Sequence, residues 1–93
     1  MMTIFVNVMD GKFSENYSLE PSSHELSITC KKSGSCASVF EEIARHYRVS
    51  STEIELVILR SGKYSVVREY ESVQSTFYYG VKVMAYIVIV HFY

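Results

Sequence analysis

The sequence predicts an α+β fold in which a mixed sheet of four to five strands packs on one main helix. Two runs of strand-forming residues, 54–59 and 77–90, follow a single amphipathic stretch. Branched and aromatic side chains fill both runs, and such side chains suit a pleated, half-buried surface. This order of elements favours a small sheet that wraps around the helix.

The chain has the length and composition of one globular domain, residues 1–93. Its residues are 48% apolar and 14% aromatic, which is enough to fill one core without a metal ion or a disulfide framework. The formal net charge of −1 provides no overall attraction for nucleic acid. We therefore expect neither a cofactor nor a nucleic-acid partner.

Cysteine spacing and the apolar runs indicate a cytoplasmic protein. Cys30 and Cys36 do not form the close pair that is typical of structural zinc sites, so we expect free thiols in a reducing compartment. The first residues lack the basic region of a secretory signal. The apolar run at 83–90 is far shorter than the ~20 residues that span a bilayer, so no membrane span is expected.

Two strands are predicted before the helix. Residues 3–9 alternate in a pattern with at least one buried face, and Asp10-Gly11 provides a turn. The polar connection 12–23 contains the only proline and is predicted either as a short strand with a loop or as one long loop. In residues 25–31 apolar and polar side chains alternate with the period of an amphipathic strand.

The helix is predicted from a stripe of apolar side chains at intervals of three and four residues. Its start is assigned to Ser35 or Ser38, and Ser38 and Glu41 have the spacing of a capping box. The stripe consists of Val39, Phe40, Ile43, Ala44 and Tyr47.

The remaining strands are predicted from burial patterns. Residues 53–60 are almost continuously apolar at their centre, which is typical of a strand buried on both faces. A turn at 61–63 leads into a short strand at 64–68. Residues 69–79 are predicted as a loop that closes over the core, and 83–92 as the final strand.

This order matches the β-grasp, or ubiquitin-like, arrangement, in which the first and last strands pair in parallel at the centre of the sheet. The alternative is a ferredoxin-like split βαβ fold, which needs a second amphipathic helix. Residues 71–80 are the only candidate for that helix.

Within the β-grasp group, the second half of the chain resembles Ras-associating domains. The resemblance rests on the strand at 54–57, the turn at 61–63, the aromatic segment 75–79 and the closing strand at 85–89. The first lobe of FERM domains has the same fold and is the second resemblance. Both resemblances rest mainly on hydrophobic pattern.

Resemblance to Ras-associating domains implies a GTP-loaded small GTPase of the Ras family as the partner. The second strand would be an edge strand that adds to an exposed strand of the GTPase, and basic side chains would face its acidic effector region. The matching residues here are Lys31 and Lys32 after the second strand, Arg45 and Arg48 late in the helix, and Lys12.

A different class of function is a structural ubiquitin-like or FERM-type lobe. Its aromatic surface and apolar C-terminal residues would pack on neighbouring domains of a larger protein or on a second copy, and a free edge strand favours a homo-oligomer. The eight tyrosines, Tyr78 and Tyr79 among them, suit such an interface.

Catalysis is not expected from this chain. Cys36 at the helix start, where the helix dipole can lower a thiol pKa, is imaginable as a nucleophile with His24 or His46 as the base. The sequence shows no third orienting group or oxyanion-hole motif beside them.

Overall fold

The computed structural model describes residues 1–10, 24–78 and 81–87. Five strands lie in these ranges: β1 (Met2–Asp10), β2 (His24–Cys30), β3 (Ile54–Arg60), β4 (Lys63–Val66) and β5 (Lys82–Ile87). The helices in the same ranges are α1 (Ala37–Tyr47), α2 (Val73–Thr76) and a 3₁₀ turn at Ser51–Glu53.

The described strands form one mixed sheet in the order β2-β1-β5-β3-β4. β1 and β5 pair in parallel at its centre, and the other neighbours are antiparallel. The predicted α+β, β-grasp arrangement is therefore confirmed. In the described part of 71–80 the only helix is the four-residue α2, which is too short for the ferredoxin-like alternative.

One face of the sheet packs on α1 and forms the main core. Alternate residues of β1 and β5 point toward the helix because successive strand side chains point to opposite faces. They are Ile4, Val6, Val8, Val83, Ala85 and Ile87. The predicted helical stripe is confirmed, since Val39, Phe40, Ile43 and Ala44 are buried and the half-buried Tyr47 packs beside them.

A second, smaller cluster lies on the opposite face of the sheet. Val57, Met84 and Tyr86 are buried there, with Leu59 and Tyr64 packed against them. β3 and β5 are thus buried on both faces, which explains their nearly continuous apolar sequences.

The start of α1 differs from the prediction. Ser38 lies one residue inside the helix and donates its hydroxyl to the carbonyl of Ser35 (3.0 Å), so the predicted capping box with Glu41 is wrong. The residue before the helix is Cys36, and its side chain makes no capping hydrogen bond.

α1 ends at a residue in the left-handed region. Arg48 has φ 57° and donates its amide to the carbonyl of Ala44, a frequent way to close a helix. The capping box of this chain lies shortly after it: Ser50 accepts from the amide of Thr52, and its own amide donates to the Glu53 carboxylate (3.0 Å). That 3₁₀ turn leads directly into β3.

Two connections complete the described fold. The β3–β4 hairpin turns through Ser61 (φ 51°) and Gly62 (φ 78°), which confirms the predicted turn. Val73 and Phe77 are buried in the main core, so residues 69–78 close over it as predicted, with α2 as an additional short helix.

Some predictions fall outside the described residues. They are the turn after Asp10, the connection 12–23 and the part of the final strand beyond Ile87. Across the described ranges, none of the helices combines the length and the apolar character that crossing a membrane requires.

Candidate protein-interaction surface

β2 lies at one edge of the described sheet. β1 pairs with it over its whole length, from Val8 opposite His24 to Met2 opposite Cys30, and no described strand lies on its other side. An edge strand presents unpaired N–H and C=O groups that can bond to another chain. β2 is the longer of the two described edges, with seven residues against four in β4.

The side chains of β2 divide between the core and solvent. Ile28 and Cys30 are buried in the main core, and the half-buried Leu26 packs against it. The alternate residues Glu25, Ser27 and Thr29 are exposed. A partner strand at this edge would therefore meet a polar row on one face and apolar side chains on the other.

Lys31 and Lys32 are both exposed directly beyond the end of β2. The carbonyl of Lys31 accepts a hydrogen bond from the amide of Gly34 (3.0 Å), and the carbonyl of Gly34 accepts one from the amide of Val73 (2.9 Å). The turn that carries the two lysines is thus fastened to the start of α2.

The amides at the start of α1 donate hydrogen bonds to the segment that precedes α2. Cys36 donates to the carbonyl of Glu71 (2.8 Å) and Ala37 to the carbonyl of Glu69 (2.9 Å). These bonds satisfy the amides of the N-cap residue and of the first helical residue, which have no acceptor within the helix. Sequence reasoning missed Glu69 and Glu71 because their backbone carbonyls accept these bonds. Every residue has a backbone carbonyl, so the side-chain pattern does not indicate which ones are used.

The two predicted arginines lie in the last turn of α1 and directly after it. About 12 Å of helix rise separates Ala37 from Arg45, and Arg48 lies nearly one turn further. Arg45 is exposed on the side of α1 opposite its buried stripe and forms an ion pair with Glu42. Lys12 lies outside the described residues.

The thiols are packed into the core. Cys36 is fully buried and Cys30 nearly so, and neither forms a disulfide. Burial raises the pKa of both thiols, which is opposite to the lowering that a helix start can cause at Cys36. His46 lies exposed near the opposite end of α1, and the side chain of His24 is outside the described part. No metal-binding group of three or more His, Cys, Asp or Glu side chains occurs in the described ranges.

The opposite edge, β4, is less open. The amide of Arg68, two residues past β4, donates to the Glu71 carboxylate (3.2 Å), so an amide next to this edge is already bonded. Two grooves of about 640 and 430 Å³ lie beside it, and both include Val66 and the 83% exposed Tyr70.

A third surface feature is an apolar groove of about 510 Å³ at the start of β1. Phe5, 57% exposed, and Tyr78 lie on its walls. The hydroxyl of Tyr78 accepts a hydrogen bond from Arg60, whose guanidinium also lies 5.6 Å from the centre of the tyrosine ring. Tyr79 is outside the described residues.

Ubiquitin-like domains are among the solved structures that match this fold. The C-terminal ubiquitin-like domain of mouse tubulin-specific chaperone e matches with a TM-score of 0.66 and 14% identity, over 96% of this chain and 90% of that one. A computationally designed protein based on human erythrocytic ubiquitin matches with a TM-score of 0.62 and 19% identity, over 100% and 99%.

An RA domain is also among the matches. The RA domain of a guanine nucleotide exchange factor for Rap1 matches with a TM-score of 0.57 and 16% identity, over 96% of this chain and 78% of that one. No protein-family model and no curated protein sequence matches the chain. The chain therefore has the ubiquitin-like fold, shared with RA domains, as its sequence predicted.

Proposed function

We propose that this domain is a non-catalytic protein-interaction module that binds a GTP-loaded small GTPase of the Ras family in the cytoplasm. Main-chain hydrogen bonds between β2 and an exposed strand of the GTPase would provide the affinity. The proposal is carried by the exposed seven-residue edge of β2, with Lys31 and Lys32 directly beyond it. The fold shared with an RA domain supports it.

The lysines would act mainly by steering. Exposed charges at the rim of an interface change the association rate and its salt dependence more than they change contact energy. Backbone hydrogen bonds of Lys31, Gly34 and Val73 hold the turn that carries Lys31 and Lys32 against the start of α2. Arg48 is a further candidate, whereas Arg45 is already engaged by Glu42.

The test reverses both charges in the Lys31→Glu/Lys32→Glu variant. We expect binding of the GTP-analogue form to weaken by roughly tenfold or more, mostly through slower association at low salt. Surface plasmon resonance with GTPases loaded with a GTP analogue or with GDP measures both quantities. The matched control is Lys63→Glu/Lys82→Glu, which makes the same change in net charge at exposed positions on β4 and β5.

The proposal fails if no Ras-family GTPase loaded with the GTP analogue binds the wild-type domain, or if the GDP-loaded forms bind equally well. The role proposed for Lys31 and Lys32 is refuted if the test and control variants weaken binding equally. The change in the net charge of the domain would then be the cause.

The second candidate is a structural lobe that packs on a neighbouring domain of a larger protein. The apolar groove beside the exposed Phe5 favours it, since a solvent-exposed phenylalanine on a sheet face is suited to docking. Phe5→Ser should then weaken packing of that neighbour, while Lys31→Glu/Lys32→Glu should leave it unchanged.

A further inference from the structure

We propose that two copies of this domain associate by antiparallel pairing of their β2 strands, centred on Ile28. The pairing places Glu25 of each copy opposite Lys31 of the other. It uses the edge that the proposed function assigns to a GTPase, but it does not depend on GTPase binding.

The basis is the order of side chains along the solvent face of β2. Glu25, Ser27 and Thr29 are exposed on this face, and Lys31, exposed directly after the end of β2, takes the next place in the row when pairing extends the strand by one residue. The row therefore begins with a negative charge, carries two hydroxyls in the middle and ends with a positive charge. Such a row is complementary to itself when it is read in the opposite direction.

Antiparallel pairing about Ile28 matches every member of the row. Glu25 meets Lys31, Ser27 meets Thr29, and the two-fold symmetry repeats both pairs. Opposite charges and hydroxyl pairs directly across antiparallel strands are stabilising. Because the interface is isologous, each residue contributes twice.

Neighbouring registers lose this match. Pairing centred on Ser27 sets Glu25 opposite Thr29, and pairing centred on Thr29 sets Lys31 opposite Ser27. A shift by a single position turns the row to the other face of the sheet. Parallel in-register pairing would place like charges side by side. The charges thus specify one register and one direction.

The backbone supports the same geometry. A two-fold axis perpendicular to the sheet joins the two five-stranded sheets into one continuous sheet, with both copies of α1 on the same side. On that side Leu26 of one copy lies opposite Cys30 of the other, on either side of the central Ile28 pair. The apolar faces of the two sheets are therefore continuous. The exposed edge of each copy becomes paired.

Sedimentation equilibrium over a concentration series reaching the millimolar range tests the proposal. The wild-type chain should show a monomer–dimer equilibrium that weakens as salt is added. Glu25→Lys and Lys31→Glu should each raise the dissociation constant by roughly tenfold or more, because each turns both charge pairs into like-charge pairs.

Mixing the two single variants provides the decisive result. When a Glu25→Lys chain pairs with a Lys31→Glu chain, position 25 of each chain faces position 31 of the other, and both pairs join a Lys with a Glu. The mixture should therefore form a heterodimer with near wild-type affinity. The double variant should form a homodimer again. Restoration also shows that neither substitution has damaged the fold.

Lys32→Glu is the matched control. It makes the same charge change at the next residue along the chain, which is not a member of the row. It should dimerise like the wild type. The proposal is overturned if the wild type stays monomeric throughout the series, if Lys32→Glu weakens the dimer as much as Lys31→Glu does, or if the mixture stays monomeric.

Self-association and GTPase binding are measured separately on the wild-type chain. A monomeric wild type that still binds GTPase would refute the dimer alone, and a dimer without GTPase binding would refute the proposed function alone.

Discussion

Cys36 shows how burial outweighs position at the scale of one residue. It stands directly before α1, where the positive end of the helix dipole favours a thiolate. Yet it is fully buried, and desolvation raises its pKa more than a hydrogen bond with Thr76 lowers it; the nearby Glu71 carboxylate raises it further. Cys36 and Cys30 therefore behave as small apolar side chains of the core.

The raised thiol pKa values predict a loss of stability in alkaline solution. As the pH rises past the ordinary thiol pKa of 9.0, the unfolded chain releases its thiol protons while the folded chain keeps them. The free energy of unfolding therefore falls with pH in that range, and the thiol contribution is fully present below it. Urea unfolding at neutral pH and at several values above pH 9 measures the slope.

The control is the double variant Cys30→Ala/Cys36→Ala. It should be less stable than the wild type at every pH because it leaves space in the core, but its stability should fall less steeply in alkali. Equal slopes for the two proteins would contradict the assignment of this effect to the thiols.

At the scale of elements, the β3–β4 hairpin depends on two residues with positive φ. Ser61 and Gly62 both lie in the left-handed region, and Arg60 and Lys63 pair on either side of them. Positive φ at both central residues is the signature of a type I′ turn, whose twist matches that of the strands.

This geometry predicts that Gly62→Ala destabilises the fold by about 1 kcal/mol. No atom lies within 4 Å of the added Cβ, so the loss would come from the backbone conformation and not from a clash. Ser61→Asn should act in the opposite direction, by a few tenths of a kcal/mol, because Asn tolerates the left-handed region. Urea unfolding compares both with the wild type; equal stability of the Ala variant would contradict the assigned turn.

The sequence predicted β1, β2 and α1 from a regular period, and β3 and β5 from nearly continuous apolar runs. Alternation in β1 and β2 and the stripe of α1 result directly from burial of one face. The start of α1 could not be predicted because Glu69 and Glu71, far along the chain, satisfy its first amides. α2 was missed since four residues are too few to show a helical period.

At the scale of the whole molecule, topology determines which strand is free. Parallel pairing of β1 with β5 at the centre leaves β2 and β4 at the edges of the described sheet. Sequence reasoning predicted β2 as an edge strand from the resemblance to Ras-associating domains, and the described sheet confirms that edge, while the roles of Lys31 and Lys32 stay predictions. It did not identify the contacts to residues 69–73, which hold the turn that carries the two lysines, since they join segments that are distant in sequence.

The proposed binding of the GTP form of a Ras-family GTPase at the β2 edge is tested by an NMR titration of the labelled domain. Each GTPase would be added once with a GTP analogue and once with GDP. We predict amide shifts in β2 and at Lys31 and Lys32, seen only with the GTP analogue, and none in the β3–β4 hairpin. The absence of shifts with every GTPase tested, equal shifts with the GDP-loaded form, or shifts centred on β4 would contradict the proposal.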